Sequence, residues 1–181
     1  MMAMPPRHKP AKPPLDSDGL ERLALFYAGR YAVTRAKLRA YLARKLRERG
    51  WAEEGAADAA VERLVERFSG LGYVDDRAFA SARAETLGRR GYGARRVEEA
   101  LRAAGIEEAD GAAAREQAAA NAWDSALRFA ERRRIGPFAA ERPERPVREK
   151  ALAAMLRAGH PLSLARRLVN ADPGEVPERE V

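Results

Sequence analysis

The feature that most restricts this 181-residue chain is a helical stripe with a glycine stop that recurs along it. Leu38, Leu42 and Leu46 stand at i, i+4 and i+8, and Gly50 follows four residues later. Leu42-x3-Leu46-x3-Gly50 matches Val97-x3-Leu101-x3-Gly105, and a copy one residue short runs through Leu152, Leu156 and Gly159. Such spacing sets apolar side chains on one helix face, and glycine readily adopts the backbone that ends a helix. A stripe repeated roughly every 50 residues marks a tandem array of small units rather than one thick-cored domain.

Composition points the same way. Ala, at 39 residues, supplies nearly half of the 46% apolar content, so large anchors are thinly spread. Val, Ile and Thr together number 13, too few for a large sheet. The sequence predicts an all-α chain.

Helices are expected around Leu20, Leu23, Phe26 and Tyr27, and then from an N-cap at Thr34 through Leu38 to Gly50. A third stripe takes Val61, Leu64, Val65, Phe68 and Leu71. Asp75 and Asp76 open a fourth helix with Phe79, Ala82 and Leu87, which breaks at Gly91-Tyr92-Gly93. Val97 and Leu101 mark a fifth, and 107–120, nearly all small or polar, would pack through alanine. Trp123 and Leu127 begin a seventh, which Gly136-Pro137 ends. A loop between Pro143 and Pro146 precedes a helix through Val147, Leu152 and Met155, and Ser163 caps a last one with Leu164, Leu168 and Val169. The expected division is a disordered Pro-rich leader 1–19, repeats 20–74, 75–120 and 121–170, and an acidic tail 171–181.

Charge follows the same blocks. Net charge is +7 over 20–50, −5 over 51–76, +4 over 77–105, −4 over 106–124, +7 over 125–170 and −3 over the tail. In each unit the first two helices are basic and an acidic segment follows. The blocks could pair with one another, or they could leave a repeated basic face for an acidic polymer or protein groove. Candidate contact residues are therefore basic clusters: Arg35, Lys37, Arg39, Arg44 and Lys45; Arg83, Arg89, Arg90, Arg95 and Arg96 with Tyr92; Arg132 and Arg133; Arg166 and Arg167. Arginine holds phosphate or carboxylate bidentately, and an exposed tyrosine can stack on a base.

The inventory argues against catalysis. There is no Cys, two His far apart (His8 and His160), and seven Ser and Thr together. No nucleophile–base pair, metal set or dinucleotide fingerprint can be assembled, so no catalytic, metal or cofactor residue is assigned. No 18-residue apolar run or signal segment is present, so no membrane association and a cytoplasmic location are expected.

The motifs resemble one family. Gly72-Tyr73-Val74-Asp75-Asp76-Arg77-Ala78-Phe79-Ala80 is similar to the GYLDDxxFA junction of RecX proteins. The stretch Arg89-Arg90-Gly91-Tyr92-Gly93-Ala94-Arg95-Arg96-Val97 resembles that family's RxxGYGPRRI. Leu101-Arg102-Ala103-Ala104-Gly105-Ile106 resembles its ELxxKGI, and Thr34-Arg35-Ala36-Lys37-Leu38 its SxxEL. The chain departs from the pattern at Lys37, Ala94 and His160. The resemblance spans about 20–170 and implies about three tandem three-helix repeats in an elongated, curved array. It also implies a non-enzymatic partner of the RecA–single-strand-DNA filament, inhibiting ATP hydrolysis, strand exchange and the coprotease step of the SOS response, acting as a monomer with weak or indirect DNA contact. A small basic helical DNA-binding protein and a general helical scaffold are the competing classes.

Overall fold

The computed structural model describes residues 12–179. Those residues form nine α-helices and one short 3₁₀ turn, with no strand beyond a single isolated bridge. The chain divides after Asp75 into two compact units.

The first unit holds α1 (Ser17–Arg30), α2 (Arg35–Arg49) and α3 (Ala57–Gly70). Thr34, fully buried, accepts from the Lys37 amide at 3.2 Å and so caps α2. Gly50 ends the same helix at φ 84°. Leu38, Leu42 and Leu46 face inward, against Leu20 and Ala24 of α1 and Val61, Val65 and Phe68 of α3.

The entry to this unit differs from the expectation of a leader running to residue 19. Leu15 is 1% exposed, and α1 starts at Ser17, capped by the Asp16 carboxylate. Leu15 exchanges backbone hydrogen bonds with Gly50 and Ala52, at 3.0 and 2.9 Å. Prolines that forbid a helix suit this extended entry, which buried Leu15 anchors together with a bond from Arg49 to the Pro13 carbonyl at 2.8 Å. The rest of the expected leader, residues 1–11, lies outside the described residues. Phe26 and Leu71, expected on the core stripes, are 59% and 63% exposed. Ala24 and Val74 are buried instead: α3 stops at Gly70, and the chain turns Val74 inward.

The second unit starts with α4 (Asp76–Arg89), α5 (Ala94–Ala103) and α6 (Glu108–Ala120). Ala80, Ala84 and Leu87 of α4 meet Val97 and Leu101 of α5 and Ala114 of α6. Gly111 and Ala114 are the buried residues of α6, so small side chains carry its packing. Arg115 of α6 bonds Glu98 of α5 and holds that carboxyl below its ordinary pKa, with Arg102 adding to the effect.

It continues with α7 (Ala122–Arg133), a 3₁₀ turn (Gly136–Phe138), α8 (Arg145–Arg157) and α9 (Leu162–Asn170). Ala126, Phe129 and Ala130 of α7 pack with Met155 of α8 and Leu168 and Val169 of α9. Tyr92 packs against both clusters of this unit. Three local expectations shift. Pro146 lies in the first turn of α8 instead of in a loop, where its missing N–H costs nothing. Val147 is 53% exposed. Pro161, rather than Ser163, occupies the N-cap of α9, with no side-chain capping bond. The segment after α9 is also held: the Gly174 amide bonds the Pro137 carbonyl at 2.9 Å, and Arg142 pairs with Asp172 at 2.6 Å.

Candidate partner-binding surfaces

The Gly91-Tyr92-Gly93 turn is a docking joint within the second unit. The Gly93 amide donates to the Ala158 carbonyl at 2.9 Å, and the Arg95 amide to the Gly159 carbonyl at 3.3 Å. A Cβ on Gly93 would lie 2.3 Å from the Gly159 oxygen, and one on Gly91 would lie 2.8 Å from the Phe129 nitrogen. The glycines thus serve backbone-to-backbone contact, and neither a phosphate cradle nor a plain turn describes them.

His160 belongs to the same joint. It is 4% exposed, its Nε2 lies 3.0 Å from the Gly91 carbonyl oxygen, and its ring meets the edge of Phe129. A carbonyl only accepts, so Nε2 carries the proton and donates. Nδ1 is buried with no hydrogen-bond partner. Burial pushes the imidazole pKa below its ordinary value, outweighing the Gly91 bond. The folded ring is therefore neutral, and the sign of its effect follows. Above the unfolded value of about 6.5 neither state is charged and the ring adds no pH dependence. As pH falls below that value the unfolded chain binds the proton first, so stability drops by up to about 1.4 kcal/mol per pH unit. The carboxyls of Glu48, Glu62, Glu98 and Glu99 are held below their ordinary values, so their pairs are lost only at lower pH. Urea midpoints at pH 7.5 and 5.5 should show the drop in the wild type and less of it in His160→Gln. Equal drops in the two proteins would refute the assignment.

The expected contact residues separate by what holds their charge. Along α2, Arg39 grips Glu62 of α3 with two bonds, 2.5 and 2.8 Å long. Arg44 and Lys45 share Glu48 and lie 5.5 and 5.9 Å from the Tyr41 ring, which itself stacks on Tyr27. Arg35 and Lys37 occupy the first turn of α2. In the second unit Arg89 pairs with Glu85 at 3.6 Å, and Arg95 and Arg96 both reach Glu99, at 3.4 and 3.0 Å. On α9, Arg167 lies over the Trp123 ring at 4.9 Å and donates to the Glu178 carbonyl. The ion pairs partly cancel the charge that composition assigns to each cluster.

The other candidates meet no described carboxylate. Arg83 and Arg90 are exposed and seven residues apart, along and just past α4. Arg132 and Arg133 flank the Phe129 ring at 5.9 and 5.7 Å. Arg166 is exposed on α9. Arg89 and Tyr92 come together at a cleft of about 220 Å³, joined there by Arg128, Gln117 and Asn121. Arg134 continues the run of Arg132 and Arg133, whereas Arg128 stands outside the clusters that the sequence singles out, as do Arg148 and Lys150. The only signal for them is the +7 charge of the 125–170 block.

Among the described residues no three metal-ligating side chains gather, and no helix is long and apolar enough to cross a membrane. The arrangement is that of an all-helical repeat protein with a net charge of +7. Comparison with known proteins makes this specific. The regulatory protein RecX of Myxococcus xanthus (strain DK1622) is 32% identical over 161 residues, covering 85% of this chain and 86% of the relative. The chain belongs to the RecX family of regulatory proteins. The crystal structure of RecX from Lactobacillus salivarius aligns with a TM-score of 0.61 at 16% identity, over 84% of this chain and 94% of that one. A second crystal structure of a regulatory protein RecX gives 0.60 at 23% identity, over 84% and 72%. Both share its fold. No family model matches the chain.

Proposed function

We propose that this chain regulates RecA by binding the RecA–single-strand-DNA filament and inhibiting its ATPase, strand-exchange and coprotease activities. It does so without catalysis of its own, as a monomer in the cytoplasm. The observation that carries this reading is the family relationship, which extends over most of both chains. The cations without a described carboxylate support it, because they supply a field for an acidic polymer. Several modest contacts on one chain reinforce each other through effective concentration, so a long filament can be held without any tight single site.

The test is single-strand-DNA-dependent ATP hydrolysis by cognate RecA with this protein titrated in. Inhibition is expected well below one copy per RecA. No inhibition at equimolar protein, with the chain shown folded, would reject the reading.

Direct binding to nucleic acid is the second reading, and one observation favours it. Phe26 and Tyr31 are exposed on α1 and its C-cap, and the Arg30 guanidinium lies 5.9 Å from both rings. Exposed rings beside a cation suit stacked bases. That reading requires tight binding to bare single strands with a steep salt dependence.

A further inference from the structure

A groove of about 250 Å³ opens in the second unit, where the end of α7 meets the 3₁₀ turn, α8 and α9. Its apolar lining is aliphatic throughout: Ile135, Val147, Ala151, Ala154 and Val169. Val147 leaves half of its surface to solvent there. Four cations stand around it: Arg133, Arg134, Arg148 and Lys150. None of the four pairs with a described carboxylate. Two acidic side chains of this region are paired with other arginines, Glu149 with Arg145 at 2.9 Å and Asp172 with Arg142. The end of the described chain is fastened by Arg167 to the Glu178 carbonyl and by Arg179 to the Ala120 carbonyl.

The backbone gives a second, independent sign. Arg134 ends α7 at φ 52°, the only left-handed residue other than glycine among those described. Glycine is the usual choice at such a position, because a Cβ is strained there. An arginine stands where the fold alone would favour glycine, and it lines the groove. Strain carried at a surface position is characteristic of a working residue.

We infer that this groove docks an acidic amphipathic segment of the partner protein. A bulky apolar side chain of that segment sits on the aliphatic floor, and flanking carboxylates meet the four cations. Nucleic acid fits less well. Phosphates would satisfy the rim, but no aromatic ring lines the floor to stack on a base, and burying aliphatic surface needs an apolar counterpart. The inference rests on the filament reading above for the identity of the partner, and names the surface and the chemistry by which it is held.

The experiment is cosedimentation with RecA–single-strand-DNA filaments formed on a slowly hydrolysed ATP analogue. It compares wild type, Arg134→Gly, and the double variant Arg148→Glu with Lys150→Glu. Arg134→Gly relieves the strained backbone, so its melting temperature should be unchanged or raised while its affinity falls. The double variant should bind about tenfold more weakly, as expected for reversed interface charges. A benzoylphenylalanine in place of Val147 should crosslink to the filament protein, at a peptide carrying carboxylates beside an apolar residue. Variants that bind like wild type, while wild type pellets normally, would overturn the groove and leave the filament reading intact. A crosslink to the DNA strand would overturn the choice of partner chemistry. Wild type that never pellets with the filament would overturn the filament reading, and this inference with it.

Discussion

Gly136→Ala should destabilise the second unit by about 3 kcal/mol or more, combining overpacking with a left-handed backbone. Gly136 sits at φ 55°, where any Cβ is strained. A Cβ there would lie 1.7 Å from the Leu168 carbonyl oxygen and 2.8 Å from that carbonyl carbon. These are backbone atoms of α9, held by the helix, and no rotamer change can move them aside. The consequence is a displaced α9, and with it Leu168 and Val169, which fill the core between α7 and α8. Gly93→Ala isolates the steric part. Its φ of −80° suits any residue, yet the added carbon would meet Gly159 oxygen, Gly159 carbon and His160 nitrogen at 2.3, 2.5 and 2.8 Å. Gly29→Ala is the control. Gly29 lies inside α1, and a Cβ on it would meet nothing within 4 Å, so this change should raise stability by about 0.5–1 kcal/mol. Urea unfolding followed by circular dichroism ranks the three. A Gly136→Ala protein within about 0.5 kcal/mol of wild type would contradict the close approach.

Reversing Arg83 and Arg90 to Glu should raise the concentration needed for half-inhibition of RecA about tenfold at low salt, with the effect shrinking as salt rises. Both are exposed, and neither meets a described carboxylate. The same reversal at Arg95 and Arg96 should do less. Glu99 already offsets part of their charge, so the local field that a partner senses is smaller. Arg95→Glu also sets a like charge four residues from Glu99, which weakens α5 by a few tenths of a kcal/mol. Titrating both double variants into the ATPase assay, at two salt concentrations and with melting curves alongside, measures the contrast. Equal losses would show that ion pairing within the chain does not decide which arginines act.

What the sequence made legible was whatever depends on near neighbours along the chain. The stripe Leu38, Leu42, Leu46, the cap at Thr34 and the stop at Gly50 each rest on residues within one or two turns. The family motifs were legible for the same reason, since they are continuous stretches. Less legible was which side of an apolar stripe faces inward. Ala24 and Ala80 are buried while Phe26 is not, because small residues let helices approach closely and size alone does not decide burial.

The candidate surface was legible only in outline. Net charge by segment located basic blocks, and it could not tell a paired arginine from one without a carboxylate. That distinction comes from partners such as Arg39 and Glu62, 23 residues apart, on different helices. Leu15 closing on Trp51, and the Gly91–Gly93 turn fastened to Ala158, Gly159 and His160, are likewise meetings of distant segments. By itself the sequence determined the helices, their repetition and the sign of the charge, because propensity, capping and composition act locally. Only the tertiary structure decided which glycines touch backbone, which histidine stays neutral and which cations face outward, because each depends on what another helix brings alongside.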